Sequence, residues 1–104
     1  MSNKRYAAKR DENEPEIEDA LLEVGATVDQ LNGDGTPDLL VGYAGVNYLM
    51  EVKSAKGTLT RAQQSWHRNW QGVVHIVRTP EEALAILGFV DMNTYRAEPE
   101  GSAP

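Results

Sequence analysis

Apolar positions along this chain recur with two different periods. Ile17, Ala20, Leu21 and Val24 are spaced to form one face of a helix over residues 14–24. Pro15 suits its first turn, Asn13 its N-cap and Gly25 its stop. Residues 26–31 (ATVDQL) alternate weakly and predict a short strand. Turn-forming residues follow in NGDGTP (32–37), then a buried strand in DLLVGY (38–43). Ala44-Gly45 reads as a tight turn into a second strong strand, VNYLMEVKS (46–54), so the two form a hairpin. Thr60 can cap a helix over 61–70, VVHIV (73–77) is a short apolar strand, and Thr79-Pro80-Glu81-Glu82 opens a last helix that runs to Gly88. The order α-β-β-β-α-β-α predicts an α/β fold, a small mixed β-sheet flanked by helices. The last strand is expected to join by a right-handed crossover. Residues 1–12, polar and without period, read as a mobile basic arm. Residues 13–88 read as the domain, and 89–104 as a disordered or loosely packed tail.

At 104 residues the chain is long enough for one domain with a real core. It has no cysteine, which excludes a disulfide framework and thiolate metal sites. Apolar runs are too short to span a membrane, and the N-terminal segment lacks an apolar signal core, so a cytoplasmic protein is expected. The net charge of −6 argues against a nucleic-acid partner only until its distribution is read. Lys4, Arg5, Lys9 and Arg10 give the first ten residues a charge of +4, and residues 11–51 carry eleven acids and no Lys or Arg. Residues 52–78 carry Lys53, Lys56, Arg61, Arg68 and Arg78 and no acid. Such a chain can present one positive face despite a negative total.

The candidate chemistry lies on the hairpin. By strand alternation, Tyr48, Met50 and Val52 share the core-facing side, while Leu49, Glu51 and Lys53 share the other. Taken alone, Glu51 and Lys53 read as a surface ion pair. Asp38 changes that reading, because the start of one hairpin strand lies beside the end of the other. Two carboxylates pressed together raise one pKa unless a cation neutralises them. A hard divalent ion is the natural solution, since Mg²⁺ needs only one or two carboxylates plus waters.

Thr36-Pro37-Asp38, twelve intervening residues and then Glu51-Val52-Lys53 resemble the PD-(D/E)XK signature of restriction-endonuclease-like nucleases. GTPDLLVGY, YLMEVKS and LTRAQQSWHRNW resemble the virus-type replication–repair nuclease (VRR-NUC) branch, which includes small phage-borne, stand-alone members. The resemblance spans about residues 11–88 and implies a restriction-endonuclease-like core. It implies Asp38 and Glu51 as ligands of Mg²⁺ or Mn²⁺, with the backbone carbonyl of Val52 completing the shell. It implies Lys53 as the residue that orients or activates the attacking water and stabilises the phosphorane. A further acid from the first helix is matched by Glu14, with Glu16 and Glu18 as rivals. A glutamine of the second helix is matched by Gln63 rather than Gln64. In-line attack leaving a 5′-phosphate and a 3′-hydroxyl is implied as well.

Other residues weigh less. NGDGTPD superficially resembles a calcium loop, but Gln30 and Val41 stand where acids are needed. His67 reads as an amphipathic-helix residue more than a phosphate contact or base, and His75 as a core histidine. Trp66 and Trp70, four apart, read as core packing ahead of base stacking. Ser54 and Ser65 have no evident partners for a serine hydrolase.

The leading expectation is a metal-dependent DNA endonuclease. Lys56, Arg61 and Arg68 would carry the DNA, with Lys4, Arg5, Lys9 and Arg10 as auxiliary contacts. A separate recognition domain has no room in this chain. Small relatives in this branch resemble four-way-junction resolvases, which implies branched DNA and a homodimer. The alternatives are a DNA-binding or assembly module that keeps the fold without turnover, and a purely structural α/β protein.

Overall fold

The structure, a computed structural model, describes residues 10–89. Seven elements follow one another: α1 (Glu14–Glu23), β1 (Thr27–Gln30), β2 (Leu39–Tyr43), β3 (Val46–Val52), α2 (Arg61–Asn69), β4 (Val74–Val77) and α3 (Pro80–Ile86). This is the element order read from the sequence. Lys4, Arg5, Lys9 and all of the expected tail except Phe89 lie outside the described residues.

The strands form one sheet in the order β1-β2-β3-β4. The first three are antiparallel and β4 runs parallel to β3, with α2 in the crossover, so the sheet is mixed. Tyr43 opposite Val46 closes the β2–β3 hairpin in two residues, Ala44 at φ 51° and Gly45 at φ 82°. Positive φ at both positions matches the turn to the twist of the strands, and Gly45 takes it without steric cost.

The core lies on one side of the sheet. Leu39, Val41, Met50, Val52 and Val77 face Ile17 and Leu21 of α1 and Ala83 of α3, and all of them are buried. The predicted face of α1 is thus the one buried. Gly25, in the left-handed region at φ 95°, ends that helix: its N–H donates to Leu22 O, and that of Ala26 to Leu21 O.

Asn13 differs from expectation. It stands at the N-cap, but its side chain makes no capping hydrogen bond. Its Nδ2 instead donates to Lys53 O at 3.0 Å and Arg78 O at 2.9 Å. The ends of β3 and β4 present free carbonyls there, and bridging them ties the start of α1 to the sheet.

Helix α2 lies over the opposite side, where Glu51 projects. None of its residues is buried. It is held at its start by a reciprocal capping box: Thr60 Oγ1 accepts from Gln63 N–H, and Gln63 Oε1 accepts from Thr60 N–H.

Candidate active site

Asp38 sits where β2 begins. Its carboxylate Oδ2 accepts from Val52 N–H at 2.8 Å, so a side chain continues the ladder past the last backbone pair, Leu39–Met50. Its own carbonyl accepts from Leu31 N–H at 2.8 Å and from the Arg10 guanidinium at 3.0 Å. These three bonds fix the carboxylate at the end of the hairpin beside Glu51. The expected closeness of Asp38 and Glu51 follows directly from the register.

Glu51 is fully buried. Burial, then hydrogen-bonding contact with Asp38 and its charge, push its carboxyl up to about 9, and Lys53 only partly opposes them. Without a cation Glu51 is therefore protonated at neutral pH.

Lys53 is 9% exposed, and its Nζ donates to Gln63 Oε1 at 2.6 Å. Gln63 Nε2 donates in turn to Glu51 Oε2 at 3.0 Å. One amide thus spans the lysine and the carboxyl and fixes both. Gln64 does not reach the site and bonds Leu59 O instead.

Among the three acids considered on α1, Glu14 is buried, Glu16 is exposed and Glu18 receives a hydrogen bond from Gln30. Burial and contact with Glu18 push Glu14 up to about 7, against the pull of Arg10. Its Oε2 accepts from Arg10 Nε at 2.8 Å, while Oε1 is buried without a hydrogen-bond partner. Arg10, expected on a mobile arm with auxiliary DNA contacts, is turned inward and joins Glu14 to the Asp38 carbonyl. Its donors are drawn there because the buried Glu14 carboxyl would otherwise have no hydrogen-bond partner.

His67 is the residue that sequence reasoning underweighted. Its Nε2 lies 3.3 Å from Glu51 Oε1, on the same side of α2 as Gln63. Burial and the charge of Lys53 lower its pKa, so the ring is neutral at neutral pH. The spacing 63–67, one helical turn, was the available signal: whatever Gln63 touches, His67 lies near. The tryptophans also depart from expectation. Trp66 is half-buried and Trp70 is 46% exposed, so neither is a core residue.

Lys56, Arg61 and Arg68 are exposed on the α2 side. Arg78 is not available there: its guanidinium donates to Ser54 O and Gly57 O and folds the loop after β3.

The donor set fits a hard divalent cation. It consists of the carboxylate oxygens of Asp38 and Glu51 beside the Val52 backbone, and it holds a carboxyl that only a positive charge would keep ionised. Among the described residues no three acidic or histidine side chains converge as a ready-made cage. The fit is therefore of the kind that Mg²⁺ tolerates, with two carboxylates and the remaining positions left to water.

No family model and no curated protein matches the chain. Its structure is similar to a solved structure described as a VRR_NUC domain. The TM-score is 0.59 and the identity 23%, and the match covers 72% of this chain and 94% of that one. The chain therefore has the fold of that domain, a mixed α/β core with a four-stranded sheet.

Proposed function

We propose that this protein is a metal-dependent endonuclease that hydrolyses phosphodiester bonds in DNA and prefers branched DNA. The observation that carries the reading is the linked group Asp38–Glu51–Gln63–Lys53 at the open end of the hairpin, in which Glu51 and Lys53 are buried. Core packing does not call for a carboxyl and an ammonium at that depth, and burying them costs stability unless they serve a ligand. The fold of a nuclease domain supports the same reading.

In this reading Asp38, Glu51 and the Val52 carbonyl would hold Mg²⁺ or Mn²⁺, and the free oxygen of Glu14 would take part only through one of the ion's waters. The bound ion would supply Lewis acidity and a water of lowered pKa. Lys53 holds a positive charge where negative charge develops on the phosphate, and Gln63 fixes it there before substrate arrives. Neutral His67 can accept or relay a proton at its ring nitrogens beside Glu51. Arg10 keeps Glu14 and Asp38 in place rather than contacting the nucleic acid.

Lys56, Arg61 and Arg68 are exposed just before and along the outer face of α2, where they would offer the DNA a positive approach. A homodimer that sets two such sites on one junction belongs to the same reading. The test is incubation of the chain with labelled linear, flap and four-way-junction DNA, with and without Mg²⁺ or Mn²⁺. Cleavage only with the ion, strongest on a branched substrate, is expected. Salt-sensitive binding with no cleavage under any condition would instead mark a non-catalytic DNA-binding module.

A further inference from the structure

We propose that the stacked Trp66–Trp70 pair on α2 receives an unpaired nucleobase of the DNA, so that the preference for branched substrates is read by stacking. The inference rests on the nuclease reading above and names the feature of the substrate that the same site selects.

The two indoles stack with ring centroids 4.8 Å apart and planes 20° apart. They cover one face of each other, and Trp70 remains 46% exposed. An indole stack this open does little for the core, and α2 has no buried residue to which it could be subordinate. Trp70 is nevertheless held in place. Its N–H donates to Trp66 O at 3.0 Å, and Gly72 lies so close that an added Cβ would stand 2.8 Å from the indole Nε1. The stack is thus already formed before any ligand arrives, which lowers the ordering cost of stacking on it.

Beside the pair is a pocket of about 410 Å³ lined by Asp34, Ala62, Ser65, Trp66, Asn69 and Trp70. Its size suits a single planar group. Its chemistry separates base from phosphate. The Asp34 carboxylate repels a phosphate and accepts hydrogen bonds from base amino groups, and Asn69 can both donate and accept. Outside the pocket the charge reverses, because α2 contains no acid and carries exposed Arg61 and Arg68. A backbone that follows the arginines can lay a base in the pocket.

The platform is continuous with the reaction centre. Gln63 and His67 reach Glu51 from the same helix, and the Trp66 ring meets the His67 ring edge-on at 6.2 Å. From Gln63 to Trp70 the helix rises about 10 Å, on the order of three nucleotides along a stacked strand. A paired base cannot enter the pocket without leaving its duplex. An unpaired base at a fork or junction can, and each such stack contributes usefully whatever the base.

The test uses forked DNA with 2-aminopurine at successive unpaired positions and a matched duplex with the same base paired, both with Ca²⁺ in place of Mg²⁺. The wild-type chain is expected to quench the probe at one unpaired position a few nucleotides from the branch, and not in the duplex. Trp70→Ala should weaken fork binding about tenfold and duplex binding less than twofold, and Trp70→Phe should restore most of the loss. Equal losses on fork and duplex, or bound fork without quenching at any position, would overturn the proposal. The quenching measurement needs no variant, so it stands even where Trp70→Ala folds poorly. Quenching without any Mg²⁺-dependent cleavage would leave the platform standing and remove the nuclease reading. Cleavage with no difference between fork and duplex would remove the platform alone.

Discussion

The two sides of the sheet are built on opposite terms. On one side α1 and α3 close over Leu39, Val41, Met50, Val52 and Val77 with mainly apolar contact, and hydrogen bonds join α1 to the sheet only at its margins, through Asn13 and Glu18. On the other, α2 has no buried residue and is tied down by hydrogen bonds from Gln63 and His67 to the buried groups of β3. Strand β3 supplies both sides from alternate positions, Met50 and Val52 to the core, Glu51 and Lys53 to the polar side. Stability and chemistry are thus separated by the pleat of a single strand, and substitutions one residue apart should have unlike effects.

The largest effect should come from the polar side. Glu51→Gln and Asp38→Asn keep volume and remove charge, and each should reduce cleavage on the order of a thousandfold or more while the melting temperature holds or rises. Near-wild-type turnover in either variant would show that the metal site lies elsewhere. The mirror experiment is Leu21→Ala on the core side. It should cost about 2–5 kcal/mol in denaturant unfolding and leave the rate per folded molecule unchanged. Equal damage to rate and stability would erase the division between the two sides.

A pH series sharpens it further. Glu51 rises from 4.5 to about 9 on folding, so between those values the native state holds a proton that the unfolded chain has lost. The contribution of this group to stability is therefore complete below pH 4.5 and declines as pH rises toward 9. Unfolding midpoints of the metal-free protein should fall from pH 5 to pH 8.5, and Glu51→Gln should flatten that slope. A slope unchanged by the substitution would place the titration in another group. The smallest expected effect is that of Thr60→Ala, which removes half of the capping box at a cost of about 1 kcal/mol. Because Gln63 loses one of its anchors, turnover should fall more than stability predicts, and rates compared at equal folded fraction would reveal it.

The sequence disclosed the core side well. Ile17 and Leu21 recur at helical spacing and Met50 and Val52 at strand spacing, and periodicity is what a buried apolar face leaves in a sequence. The neighbourhood of Asp38, Glu51 and Lys53 was legible for a related reason, since a two-residue turn fixes which residues of a hairpin stand opposite each other. The rest depended on facts that periodicity does not carry. Trp66 and Trp70 have the spacing of a core-facing pair, but α2 rides on polar bonds, so the same spacing yields an exposed stack. Arg10 stands among charged residues with no apolar pattern, and only the buried Glu14 explains why it turns inward. Asn13 has the identity of a capping residue, and the open carbonyls of Lys53 and Arg78 outcompete the helix for its amide.

One feature of α2 bears on when the protein becomes competent at all. Gln63 is at once the third residue of the helix, closing its cap on Thr60, and the link between Lys53 and Glu51. Winding the first turn of α2 and aligning the reactive groups are therefore a single event. A chain whose sheet, α1 and α3 have closed while this turn is unwound is compact, but its Lys53 and Glu51 are not yet linked. On the nuclease reading it would become competent only when that first turn winds, and would lose competence whenever the turn frays.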